Sequence, residues 1–316
     1  MNKILSFLTS STVICLIFAF LLSLQAKALS DTFDPGLVIS DEDFTGLPLS
    51  YSSPEMIQSF LESKGSLLAN YKTEVSFESD DITINPNTFP HHPPYLVPYH
   101  ILESYKGREM SAAEIIWALS REDLPNGCGI TYQDVCVNNN QEPLNPGFLL
   151  AMIQKESGLV YGANSRLEVD SPEARWLLDR VVGYYCFENP DKSKSCYDEN
   201  PNWKYFKGFF RQLYYSVKTL RINKTRCDLG GNYSIRAGNT YFTGNTVYIN
   251  NQPLYLKNGI TCSLYAYTPH LHSQNLLYNI FKDLKIDQRF LPHKNYQPSP
   301  AIPPKSGPYL VIPPKS

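Results

Sequence analysis

The stretch of this chain best suited to chemistry is Asn145-Pro146-Gly147-Phe148-Leu149-Leu150-Ala151-Met152-Ile153-Gln154-Lys155-Glu156-Ser157-Gly158. Asn145 is a residue type that caps a helix N-terminus, Pro146 suits the first helical position, and Gly158 is placed to end the helix. Helical spacing puts Leu149, Met152 and Ile153 on one buried face, and Glu156 follows them at i+7, i+4 and i+3. A carboxyl group on an apolar stripe loses hydration, which favours its neutral form. An acid kept protonated near neutral pH can give a proton to the leaving oxygen of a glycosidic bond. The competing reading is a helix-end glutamate that turns out to solvent or pairs with a cation such as Lys155 or Arg166.

Several punctuated helices surround this one. Ser53-Pro54-Glu55 opens a pattern with Met56, Ile57, Phe60 and Leu61 on one face, and Gly65 closes it. Ser111 and Glu114 form a capping box ahead of Ile115, Ile116 and Leu119. Ser171-Pro172-Glu173 starts a further helix carrying Trp176, Leu177, Leu178 and Val181. The longest stripe runs Phe206, Phe209, Phe210, Leu213, Tyr214, Val217, Leu220. Strand signals concentrate in 239–258, where Tyr241-Phe242-Thr243 and Val247-Tyr248-Ile249 flank a Gly244-Asn245 turn. The expected fold is mainly α with a small β-hairpin.

The ends differ from this body. Lys3, the apolar run Ile4 to Leu24 and Ala26-Lys27-Ala28 read as a secretory signal cut after Ala28; the alternative is an uncleaved membrane anchor. Cleavage removes Lys3 and Lys27 and no acid, which moves the formal charge from −2 to −4 and argues against nucleic acid as a partner. The expected setting is secreted, periplasmic or extracellular, with no membrane contact after cleavage. From 289 to 316 the chain is Pro-rich and repeats Ile-Pro-Pro-Lys-Ser, an extended tail that could dock an envelope partner. A second Pro-rich stretch, Asn85 to Pro98, interrupts the body as a domain boundary or a long loop.

Cys15 leaves with the signal, and six cysteines remain, an even number that favours disulfides in an exported chain. Spacing suggests Cys128–Cys136, Cys186–Cys196 and Cys227–Cys262, one of 15 possible pairings. Structural zinc prefers closer Cys pairs than any present here, so no metal or other cofactor is expected. His91-His92 and His270-x-His272 read as loop and surface histidines. A secreted cysteine peptidase would need a free Cys beside a His, and the three pairs leave none.

Gln154-Lys155-Glu156-Ser157-Gly158 resembles the Glu-Ser motif that ends the catalytic helix of soluble lytic transglycosylases and goose-type lysozymes. The agreement extends to a group of lysozyme-like bacterial exported proteins, some labelled hemagglutinin-like or transglycosylase-like. It covers about 30 to 288, through Phe33-Asp34-Pro35-Gly36, Gly183-Tyr184 with Cys186 and Cys196, Gly208-Phe209-Phe210-Arg211-Gln212-Leu213-Tyr214 and Tyr265-Ala266-Tyr267-Thr268-Pro269. Ser263 departs from the alanine common in that group. The resemblance implies one lysozyme-like, transglycosylase-type domain over 29–288, with the stretch at about 80–100 as an insertion.

It further implies that the chain acts on peptidoglycan glycan strands, with Glu156 as the single general acid and base. Lytic transglycosylases manage with one carboxyl group because the muramoyl 6-hydroxyl attacks the anomeric carbon and gives a 1,6-anhydro product. A muramidase would need a second carboxylate, for which Glu168, Asp170, Glu173 and Asp179 lie downstream. By motif, Tyr184, Tyr265 and Tyr267 line or support the cleft and Ser157 orients the acid. Gln212 could hydrogen-bond the acid or a sugar. The alternative function is a glycan-binding, hemagglutinin-like protein that keeps the fold without turnover.

Overall fold

The computed structural model describes residues 33–75, 107–121, 131–132, 135–136, 144–186, 196–198, 200 and 203–284. The expected signal, the Pro-rich stretch, the Pro-rich tail, His91, His92 and Cys128 lie outside the described residues, and so does the Cys136 side chain. The chain divides into two compact units, Met1–Pro35 and Gly36–Ser316, and all elements below belong to the second. It is mainly helical, with small antiparallel hairpins. No helix among the described residues is long and apolar enough to cross a membrane.

Local chemistry explains where the helices start. A short helix α1, Asp41–Thr45, opens on a reciprocal Ser40–Asp43 capping box. Helix α2, Pro54–Ser63, has the Ser53 side chain accepting from the Met56 N–H, and buries Ile57 and Leu61 while leaving Met56 exposed. Strands β1, Lys72–Glu74, and β2, Glu109–Ser111, pair antiparallel, which sets the two flanks of residues 76–106 side by side. Helix α3, Ala112–Arg121, follows directly, with Ser111 and Glu114 bonded to each other's backbone N–H as the sequence predicts. Strands β3, Thr131–Tyr132, and β4, Val135–Cys136, form a minimal ladder.

Helix α4, Pro146–Ser157, lies in the core and packs against α3 and against the C-terminal helix. Its cap does two jobs: Asn145 Oδ1 accepts from the Gly147 N–H, and its amide donates to the Asp43 carbonyl at 2.8 Å, tying α4 to α1. Phe44 meets Phe148 edge-on at 5.0 Å across the same junction. Then come α5, Pro172–Leu178, and the long α6, Phe209–Leu229. The expected stripe is buried along α6, with Phe206 just ahead of the first turn. Helices α7, Gly259–Tyr267, and α8, Leu271–Asp283, close the fold. The most extensive helix contact is α6 on α7, stapled by the Cys227–Cys262 disulfide; a second disulfide joins Cys186 and Cys196.

Two expectations need correction. Tyr241-Phe242-Thr243 and Val247-Tyr248-Ile249 do not pair around Gly244-Asn245. Instead β5, Ile235–Ala237, pairs with β6, Asn239–Tyr241, and β7, Thr246–Ile249, pairs with β8, Gln252–Tyr255. Asn250 and Asn251 both take positive φ, 51° and 62°, the two-residue turn that matches strand twist, so the reversal comes one turn later. Trp176 does not join the core: it is 51% exposed, with the Arg180 guanidinium 4.8 Å from its ring.

Candidate active site

Of the residues from Pro146 to Ser157, Glu156 alone is exposed; Gln154 and Lys155 are intermediate and the rest are buried. A helix enclosed on all sides thus delivers one carboxylate to solvent at its C-terminal end. Gly158 ends the helix in the left-handed region, φ 67°, where an added Cβ would press on the Asn164 amide at 3.3 Å. Asn164 in turn donates to the Ser157 carbonyl at 2.9 Å, which fixes the chain that leaves the acid.

The surroundings of the carboxylate are not the apolar ones that periodicity suggests. The Glu156 side chain is 28% exposed, and its Oε1 accepts from the Lys155 ammonium at 2.6 Å. The Lys155 side chain is only 4% exposed, so its stem is buried and its charge is held at the edge of the site. Among the described residues, Glu156 forms its salt bridge with Lys155 and none with Arg166, the other cation considered. Oε2 faces the backbone at Gly183, close enough that a methyl group added there would lie 3.5 Å from it.

Gly183 begins a constrained segment. It has φ 63°, and Tyr185 has φ 62°, a conformation that costs a bulky residue about 1–3 kcal/mol and persists only where surrounding contacts enforce it. Gln212 on α6 supplies that enforcement. Its amide accepts from the Tyr184 N–H at 2.9 Å and donates to the Tyr184 carbonyl at 2.9 Å and the Phe206 carbonyl at 2.8 Å. The Tyr185 ring stacks on Phe206, with centroids 4.3 Å apart.

Two phenols complete the site from the α6 side. Tyr184 stacks between Tyr215 and Tyr267, at 5.7 and 6.4 Å, and its hydroxyl accepts from Thr219 at 3.3 Å. Burial pushes its phenol up to about 12. Tyr267 keeps part of its surface open, and its hydroxyl accepts from Ser216 at 3.3 Å. Burial of the phenol raises its pKa well above the usual value, and the nearby Glu156 charge adds to that push. Both phenols therefore remain hydrogen-bond donors at neutral pH.

Glu156, Tyr184 and Tyr267 lie in one neighbourhood, but Tyr184 is buried and stacks on Tyr267 instead of lining a surface. Three other expectations are corrected. Gln212 has no exposed surface and spends its amide on backbone groups, so it touches neither acid nor sugar. The Ser157 hydroxyl donates to the Ile153 carbonyl at 2.8 Å, inside its own helix, and does not orient the carboxylate. Tyr265 is wholly enclosed and lines no surface.

The competing reading of the sequence, that Glu156 pairs with Lys155, is what the structure shows; Ser216 and Thr219 were not anticipated. Gln212, Ser216 and Thr219 recur at i, i+4 and i+7 on a largely buried helix, and that polar stripe was the available signal.

Among the downstream acids, Glu168, Asp170 and Glu173 are exposed. Asp179 is part-buried; burial holds its carboxyl above the usual range, and Lys207 lies 3.5 Å from it. No group of His, Cys, Asp and Glu among the described residues could hold a metal ion, and His270 and His272 are exposed. Comparisons of the chain with protein-family models, with characterised proteins and with solved structures found no match.

Proposed function

We propose that this chain is an exported enzyme with a lysozyme-like domain that cleaves the glycan strands of peptidoglycan, with Glu156 as general acid and then general base. The observation that carries the reading is the single exposed carboxylate at the end of an otherwise buried helix, set between a strained glycine-containing segment and a protonated phenol. Such a carboxylate is held in place by the core while its oxygens remain reachable by a polymer.

In the reaction, the Glu156 carboxyl protonates the glycosidic oxygen as the bond to the anomeric carbon breaks. The carboxylate then takes the proton from the hydroxyl that attacks that carbon. With the muramoyl 6-hydroxyl as nucleophile the product is 1,6-anhydro and no water is consumed. Hydrolysis would need in addition a second carboxylate to hold water or form a covalent intermediate. Tyr267 would donate to a sugar oxygen beside the acid. Lys155 must release Oε1 before Glu156 can carry the transferred proton.

That last requirement favours a second reading, a glycan-binding protein without turnover, in which Lys155 keeps the carboxylate occupied. Release of dye from labelled peptidoglycan separates the two. Wild type should release dye and Glu156→Gln should fall by at least about 100-fold while still binding the polymer. Binding without release by wild type selects the second reading.

A further inference from the structure

An open cavity of about 350 Å³, which Glu156 does not line, lies between the last turn of α2 with the 3-10 turn Leu67–Ala69 on one side and the 3-10 turn Asn164–Arg166 on the other. That volume is at the lower end of the roughly 300–1,000 Å³ of small-ligand sites. Its walls are tied to the chain that leaves α4: Ser66 donates to the Leu159 carbonyl at 2.7 Å, and Asn164 donates to the Ser157 carbonyl.

Two opposite charges line this cavity without meeting. Glu62 is held by Gln58, whose amide donates to Oε1 at 2.8 Å and to the Ala69 carbonyl at 2.9 Å, which leaves Oε2 available. Arg166 is exposed and forms no salt bridge among the described residues, with Glu62 or with any other acid. A carboxylate and a guanidinium lining one space are the complement of a group that carries an ammonium and a carboxylate together. The guanidinium fork matches a carboxylate in two parallel hydrogen bonds, and Oε2 accepts from the ammonium.

We propose that this cavity binds the zwitterionic end of an amino acid, presented by the peptide that branches from the glycan strand. The zwitterion chemistry stands on the cavity alone; its source in a peptidoglycan stem peptide rests on the reading of the preceding section. The peptide would then hold the strand next to the end of α4, where Glu156 emerges.

The test is calorimetric titration of the whole protein with the free tripeptide L-alanyl-γ-D-glutamyl-meso-diaminopimelate, whose far end is a free zwitterion. Wild type should bind it. Acetylating the far amine, amidating the far carboxylate, Glu62→Gln and Arg166→Gln should each weaken binding about tenfold or more. Glu156→Gln should bind as wild type does, which keeps this test separate from cleavage. No binding by wild type overturns the proposal, as does binding that is indifferent to both variants or to both blocked peptides. If the tripeptide binds as expected and no glycan is cleaved, the enzyme reading fails and the cavity assignment stands.

Discussion

Replacing Gln212 with leucine should loosen the site without touching the acid. Leucine nearly matches the glutamine in size, so lost packing is a small part of the effect. What disappears is three hydrogen bonds inside a fully buried setting, two to Tyr184 and one to Phe206. Each is worth about 1 kcal/mol or more where water cannot take its place, so the expected loss is about 3 kcal/mol. For a domain of this size that lowers Tm by roughly 6–12 °C. The left-handed backbone at Tyr185 then has less to enforce it, and the segment from Gly183 to Tyr185 should relax away from Glu156. Urea unfolding measures the first effect, and hydrogen exchange at the Tyr184 N–H measures the second. A stability change under about 1 kcal/mol with the Tyr184 amide still protected would refute the clamp.

Lys155→Met removes the ammonium from Oε1, and because that contact must break before proton transfer, dye release should rise several-fold; a loss of release in a folded variant would show instead that Lys155 positions the acid. Alkaline pH should destabilise the protein through its enclosed phenols. Tyr184 is raised to about 12 and Tyr51 is raised as well, both by burial. An unfolded tyrosine titrates near 10, so their stabilisation is whole below about pH 10. It is lost as pH rises from there through about 12 for Tyr184, at up to about 1.4 kcal/mol per pH unit for each phenol. Tyrosinate absorbance followed beside circular dichroism checks this: the late phenols should ionise only as the fold is lost, and reversible ionisation of every tyrosine near pH 10 would contradict it.

The frame of the site was legible in the sequence because its signals are local. Asn145, Pro146 and Gly158 act within a turn of their own positions, and the structure uses each as the sequence predicts. Glu156 follows from the length they set. What a periodic pattern could not supply is what crosses the fold. Gln212 works on backbone 28 residues away, and nothing near it in the chain marks that partner. Lys155 and Glu156 are helix neighbours whose side chains leave in different directions, so their contact depends on how the lysine stem is buried. The apolar stripe also misled in part, because α4 is buried nearly all round and the position of Glu156 is the exception to that burial. In the hairpins, Asn250 and Asn251 outweighed Gly244-Asn245 because both asparagines adopt positive φ.

The most direct measurement digests purified peptidoglycan with the mature protein and with Glu156→Gln, and reads the soluble products by mass spectrometry. Anhydro-muropeptides from wild type and none from the variant are the result expected of a single carboxyl group that passes one proton out and takes one back. Products carrying an added water would require a second group to activate it, and no soluble product from wild type would contradict the assignment of Glu156 as a catalytic acid.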